Sequence, residues 1–188
     1  KSVLIIHYGD VNYYAENENY WAETNGRNVE FTDKKSENKK IIKLDFVPNQ
    51  IALGMNHVFI LKCGDNYSSD DAVIYSYDFE GHYIEARHEK KCNYMAMDKD
   101  ILYLQYWQDE EQNMPYVNYN GIVANAWIKE DKFAGKVNTM KENKKGVCKV
   151  GERTFYANSN GCFSTEKEYS NIPAMSAYIW DEMKTEKQ

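Results

Sequence analysis

Any triad or imidazole metal site in this chain must draw on four histidines, His7, His57, His82 and His88. His82 and His88 stand six apart on one expected strand, about 20 Å at ~3.3 Å per residue, too far to share a metal ion. His88-Glu89-Lys90-Lys91-Cys92 would place His and Cys on one helical face, but that is only half of a zinc shell. The segment falls between a hairpin and the next strand, so a loop is expected. Asp98 and Asp100, or Asp109, Glu110 and Glu111, are the carboxylates that could pair for acid–base hydrolysis. Asp98-Lys99-Asp100 reads more simply as a turn between strands, and the second group as a solvated loop. The acidic stretch from Gly64 to Asp71 could offer oxygen ligands to calcium, although its spacing is not that of an EF-hand. Otherwise no cofactor is implied. No phosphate-cradling loop, dinucleotide fingerprint or nucleophile elbow occurs.

The four cysteines, Cys63, Cys92, Cys148 and Cys162, contain no C-x-x-C pair, which argues against a zinc ribbon or thioredoxin-type site. Local bridges Cys63–Cys92 and Cys148–Cys162 would each close a short loop and stabilise by roughly 2–4 kcal/mol if oxidised. In a reducing compartment all four are small apolar core residues. Asn66-Tyr67-Ser68 is a formal glycosylation sequon. The even cysteine number and the sequon point to an extracytoplasmic or secreted protein. The chain begins with Lys1, as expected of a processed product or of a segment of something longer.

Aromatic residues are the main surplus: 16 Tyr, 7 Phe and 4 Trp. Trp21, Trp107, Trp127 and Trp180 recur about once per quarter of the chain. They suit core packing between sheets. Interleaved with amides they equally suit a groove for a glycan or a protein, and Tyr103, Tyr106, Trp107, Tyr116 and Tyr119 are the candidate binding residues.

These side chains must be held by a globular fold, since 43% of the 188 residues are apolar. A net charge of −6 disfavours a nucleic-acid partner, and no apolar run approaches the ~20 residues of a membrane span. Tyr favours pleated surfaces and Asn and Gly favour turns, so many short strands are expected. Three landmarks recur in order along the chain, the first three times and the other two four times. A Lys-Lys pair after an acidic residue opens an apolar run at Lys39, Lys90 and Lys144. A polar corner precedes an apolar or aromatic strand near residues 11, 58, 101 and 153. A glycine turn follows at Gly26, Gly81, Gly121 and Gly161. Asn-Gly accepts positive φ and matches hairpin twist. The clearest hairpin spans residues 72–87 around Asp78-Phe79-Glu80-Gly81.

Each unit reads as about four strands, the first at residues 3–8, 11–15, 20–24 and 28–32. The units cover residues 1–36, 37–88, 89–130 and 142–188 of one β-rich domain, 1–188. The polar stretches 32–40 and 133–145 read as linkers between units. Asn171 could cap a C-terminal helix with Ile172, Met175, Ile179 and Met183 on one stripe; a closing strand at 177–180 is the alternative.

Four-stranded units at this period resemble β-propeller blades. The segment Asn12-Tyr13-Tyr14-Ala15-Glu16-Asn17-Glu18-Asn19-Tyr20-Trp21 is similar to the aromatic strand, polar turn and Tyr-Trp pair of hemopexin-like domains, and Phe155 to Phe163 echoes it. The resemblance implies an all-β, four-bladed or larger propeller. Cysteine placement departs from it, because no cysteine lies in the first unit. An up-and-down β-barrel with a C-terminal helix is the other architecture. The function expected is non-catalytic binding of a protein or glycan. The alternatives are a propeller-type glycan hydrolase with paired carboxylates, or a structural piece of a larger assembly.

Overall fold

The computed structural model describes residues 14–64, 68, 70–106, 123–157 and 163–165. They form an all-β molecule of four antiparallel sheets of four strands each. Sheet 1 is a meander of β1 (Tyr14–Glu16), β2 (Tyr20–Asn25), β3 (Asn28–Asp33) and β4 (Lys39–Lys43). Sheet 2 repeats it with β5 (Gln50–Leu53), β6 (Val58–Lys62), β7 (Val73–Tyr77) and β8 (Tyr83–His88). Sheet 3 runs β9 (Cys92–Asp98), β10 (Ile101–Tyr106), β12 (Ala126–Lys129) and β13 (Asn138–Thr139). Sheet 4 runs β14 (Val147–Val150), β15 (Arg153–Ala157) and β16 (Phe163–Ser164), and its fourth strand is β11 (Val123–Ala124), donated from ahead of β12. A 3₁₀ turn at Glu130–Lys132 is the helical element among the described residues. None of these residues belongs to a helix long and apolar enough to cross a membrane.

Strand alternation explains the packing. Successive side chains point to opposite faces, and the middle sheets bury both. In β6, Val58 and Ile60 join Ala22, Val29 and Phe31 in a core between sheets 1 and 2, whereas Phe59 and Leu61 face the core between sheets 2 and 3. In β10, Leu102 and Leu104 face sheet 2, and Ile101 and Tyr103 join Phe155 and Phe163 in the core against sheet 4. Two buried faces require nearly continuous apolar runs, and Val58-Phe59-Ile60-Leu61 and Ile101-Leu102-Tyr103-Leu104 supply them.

The 72–87 hairpin forms as expected from its turn. Asp78 Oδ1 accepts the Glu80 and His82 amides at 2.9 Å each, and Gly81 adopts φ +88°. The Asp98-Lys99-Asp100 corner is likewise a turn between β9 and β10.

Three expectations are corrected. The barrel alternative fails, because a barrel is one sheet closed on itself and the described strands divide into four separate sheets. The 32–40 linker is a hairpin turn followed by β4, so Lys39–Lys43 closes sheet 1 instead of opening the second unit. Its lysines lie on an exposed edge strand and Ile42 turns inward. The 133–145 linker likewise carries β13. The expected strand at 3–8 and the C-terminal helix or strand lie outside the described residues.

Candidate binding surface

Sheet 1 turns Ala15, Ala22, Val29, Phe31 and Ile42 inward, so alternation places Tyr14, Glu16, Trp21 and Glu23 on its outer face. Glu16 sits opposite Trp21 and Tyr14 opposite Glu23, which makes the two aromatics diagonal neighbours within reach of each other. Their rings stack 6.3 Å apart at 22°. Tyr14 is 41% exposed, so the aromatic surface meets solvent. Its hydroxyl donates to Glu16 Oε2 at 2.9 Å, and Lys34 forms an ion pair with the other Glu16 oxygen while donating to the Asn17 carbonyl at 2.8 Å. Lys39 Nζ lies 6.0 Å from the Trp21 ring centre, within range of a cation–π contact. Lys34, followed by the Tyr14 hydroxyl, holds the Glu16 carboxyl below the usual range. Burial and the hydrogen bond to Glu16 push the Tyr14 phenol up to about 12. The face therefore offers an aromatic surface beside a carboxylate fixed from two sides.

No family model matches this chain, and no curated protein matches it either.

Elsewhere, the groups that could do chemistry are tied between sheets. Glu130, only 4% exposed, reaches back from the end of β12 to the β5–β6 turn. Its carboxylate accepts the amides of Met55 (2.8 Å) and Asn56 (2.6 Å), and His57 Nδ1 lies 2.8 Å away. The same turn is held from the other side by Asn17 Nδ2, which donates to the Gly54 carbonyl at 2.6 Å. Asp98 of the β9–β10 turn pairs with Arg153 of sheet 4, and Asp100 uses its carbonyl to accept the Glu130 amide at 2.9 Å. The turn after the first strand of each sheet thus joins one continuous polar rim.

Of the expected binding residues, Tyr103 and Tyr106 lie on opposite faces of β10. Tyr103 is buried with its ring 5.1 Å from Phe155. Tyr106 packs toward sheet 2 and donates its hydroxyl to Glu89 Oε2 at 2.8 Å; Glu89 in turn pairs with Arg87. These two do not line a common groove. Trp107, Tyr116 and Tyr119 lie outside the described residues, as do Asp109, Glu110, Glu111, Asn66 and Cys162. Cys63, Cys92 and Cys148 carry free thiols, so the expected Cys63–Cys92 bridge is not formed. Instead Cys92 is part of the core between sheets 2 and 3, with Cys63 packed against it. Among the described residues no three His, Cys, Asp or Glu side chains converge as for a metal.

The Tyr14–Trp21 pair is not among the binding residues expected from the sequence, where its segment stands out only by family likeness. The available signal was two aromatics flanking the polar turn Glu16-Asn17-Glu18-Asn19, which a hairpin brings face to face. Glu130 gave less: within Lys129-Glu130-Asp131-Lys132 it resembles any solvated turn.

Proposed function

We propose that the chain is a non-catalytic binding domain whose sheets act as propeller-like blades, and that the outer face of sheet 1 takes a glycan. The blade reading is supported by sheets that pack face to face in chain order, by the rim of linked turns, and by the hemopexin-like character of residues 12–21. A glycan partner accords with an extracytoplasmic location.

The observation that carries the reading is the stacked Tyr14–Trp21 pair beside Glu16. A sugar ring has an apolar C–H face that packs on an aromatic plane and hydroxyls that donate to a fixed carboxylate. The carboxylates of the hydrolase alternative fit catalysis less well where they are described, because Asp98 is already neutralised by Arg153.

The test is a glycan-array screen with the full chain, followed by titration of the best neutral oligosaccharide against Trp21→Ala and Glu16→Gln. Removing the aromatic anchor is expected to weaken binding about tenfold or more, with Glu16→Gln weakening it less. Absence of any glycan binding, or equal binding by Trp21→Ala, overturns the reading; binding of a protein instead would redirect it to the partner class named above.

A further inference from the structure

We propose that two copies of this chain join edge to edge through β8, extending sheet 2 across a two-fold axis at Ala86. Sheets 1 to 4 end on β4, β8, β13 and β11. Strands β13 and β11 have two residues each and offer little to a partner strand. Strand β4 opens on two lysines and ends on a third, a common guard against pairing with another chain. Strand β8 is six residues long and carries no lysine. Its Tyr83 and Ile84 are 57% and 43% exposed, and Ala86 and His88 are exposed beside them. This edge is long, partly apolar and unguarded.

The backbone fixes which groups a partner strand meets. The Glu89 amide donates to the Ala72 carbonyl at 3.0 Å, and the same register sets Ile74 opposite Arg87 and Ser76 opposite Glu85. Along an antiparallel ladder every second pair exchanges both hydrogen bonds. Glu85, Arg87 and Glu89 therefore direct their backbone groups to β7, while Ala86 and His88 direct theirs outward.

An added strand must match outward residues with outward residues, so an antiparallel two-fold axis falls on a residue and not between two. An axis on Glu85 or on Arg87 sets like charges face to face, which destabilises a sheet. An axis on Ile84 falls in the bulge opposite Tyr77, where the alternation breaks. An axis on His88, the last residue of β8, runs each strand past the end of the other. The axis on Ala86 is left. It sets Ile84 opposite the partner's His88 and, twice over, Glu85 opposite the partner's Arg87, at the non-hydrogen-bonded positions where side chains come closest. Arg87 is already held in place. Its Nε pairs with Glu89, and its Nη1 donates to the carbonyls of Phe133, at 2.7 Å, and Gly135. These contacts use three of the five donors of a guanidinium. Alanine at the axis lets the two backbones approach.

Six residues a side is a fraction of the ~20–30 in a standard interface, so the dimer is weak and forms at high concentration. Sedimentation velocity of the full chain, in a series reaching the millimolar range, is expected to show a monomer passing into a dimer. Ala86→Pro removes an outward N–H and leaves the β7 ladder intact, a position at which edge strands accept proline. It is expected to keep the wild-type circular dichroism spectrum and stay monomeric throughout. Glu85→Lys turns two attractive pairs into two repulsive ones and is expected to weaken dimerisation roughly tenfold or more. Amide hydrogen exchange followed by NMR on the wild type needs no variant to fold. In dilute protein the Ala86 and His88 amides are expected to exchange faster than those of Glu85 and Arg87, and to slow selectively as the dimer forms. A chain that stays monomeric, a dimer that survives Ala86→Pro or is unaffected by Glu85→Lys, or protection that does not fall on Ala86 and His88 overturns the proposal.

Discussion

The Glu130 carboxylate fills the space that a Cβ on Gly54 would need. Glycine at this turn lets the carboxylate come down on the backbone amides of Met55 and Asn56 while Asn17 holds the Gly54 carbonyl from sheet 1. One turn of sheet 2 is thereby bonded to both neighbouring sheets. Gly54→Ala is expected to cost roughly 1–3 kcal/mol, by forcing the carboxylate off its donors. Glu130→Gln is expected to cost a similar amount. Because both act on one contact, the double variant should lose less than the sum of the two. Urea midpoints of the four proteins measure this, and strict additivity would mean that the two residues act separately.

Gly81 holds φ +88° at the end of the β7–β8 turn. A β-branched residue there must enter a region that costs L-residues roughly 1–2 kcal/mol. Gly81→Val is expected to lower the melting temperature of the domain. An unchanged melting temperature would show that the hairpin relaxes around the substitution.

The Glu16 carboxyl titrates below its ordinary value because Lys34 and Tyr14 bind its ionised form. Between the folded and unfolded values the unfolded chain holds more protons, so stability rises with pH in that window. This contribution is complete above the ordinary carboxylate range and is lost as pH falls through the folded value. Glu16→Gln is expected to flatten the acid limb of a plot of urea midpoint against pH by lowering the neutral end of the curve, leaving its most acidic end nearly unchanged. A limb of equal slope in the variant would remove Glu16 from the account.

Burial pushes the Cys63 thiol up to about 11 and the Cys92 thiol up to about 12. At neutral pH about one Cys63 in ten thousand is a thiolate, the reactive form. In a Cys162→Ser background, a thiol-specific chromogenic disulfide should therefore label Cys63 and Cys92 slowly in the native protein and quickly in urea. Rapid native labelling would show that the core between sheets 2 and 3 opens readily.

Local chemistry was legible in the sequence and distant pairing was not. The β7–β8 hairpin could be read because Asp78 and Gly81 define its turn within four residues. The middle strands could be read because burial on both faces leaves apolar runs. Sheet membership of Lys39–Lys43 was lost because an edge strand that opens on two lysines and ends on a third resembles a solvated tether. Tyr103 and Tyr106 looked alike as residue types, yet strand parity sends one into the core and ties the other to Glu89. Nothing near Val123–Ala124 reveals its partner, because β16 lies some forty residues further along the chain.

That borrowed strand determines how the molecule can be divided. In an array of self-contained repeats the last unit could be deleted and the remainder would keep its shape. Here β11 runs through Asn125 directly into β12, so one short stretch of backbone serves as the outer edge of sheet 4 and the third strand of sheet 3. Removing the last unit strips β11 of its hydrogen-bonding neighbour, and excising the third takes away part of the fourth. Pairing over this separation also raises the contact order of the C-terminal half, so closure of sheet 4 must await synthesis of β16 and belongs among the later folding events. The two sheets form one cooperative module, stitched by the chain itself.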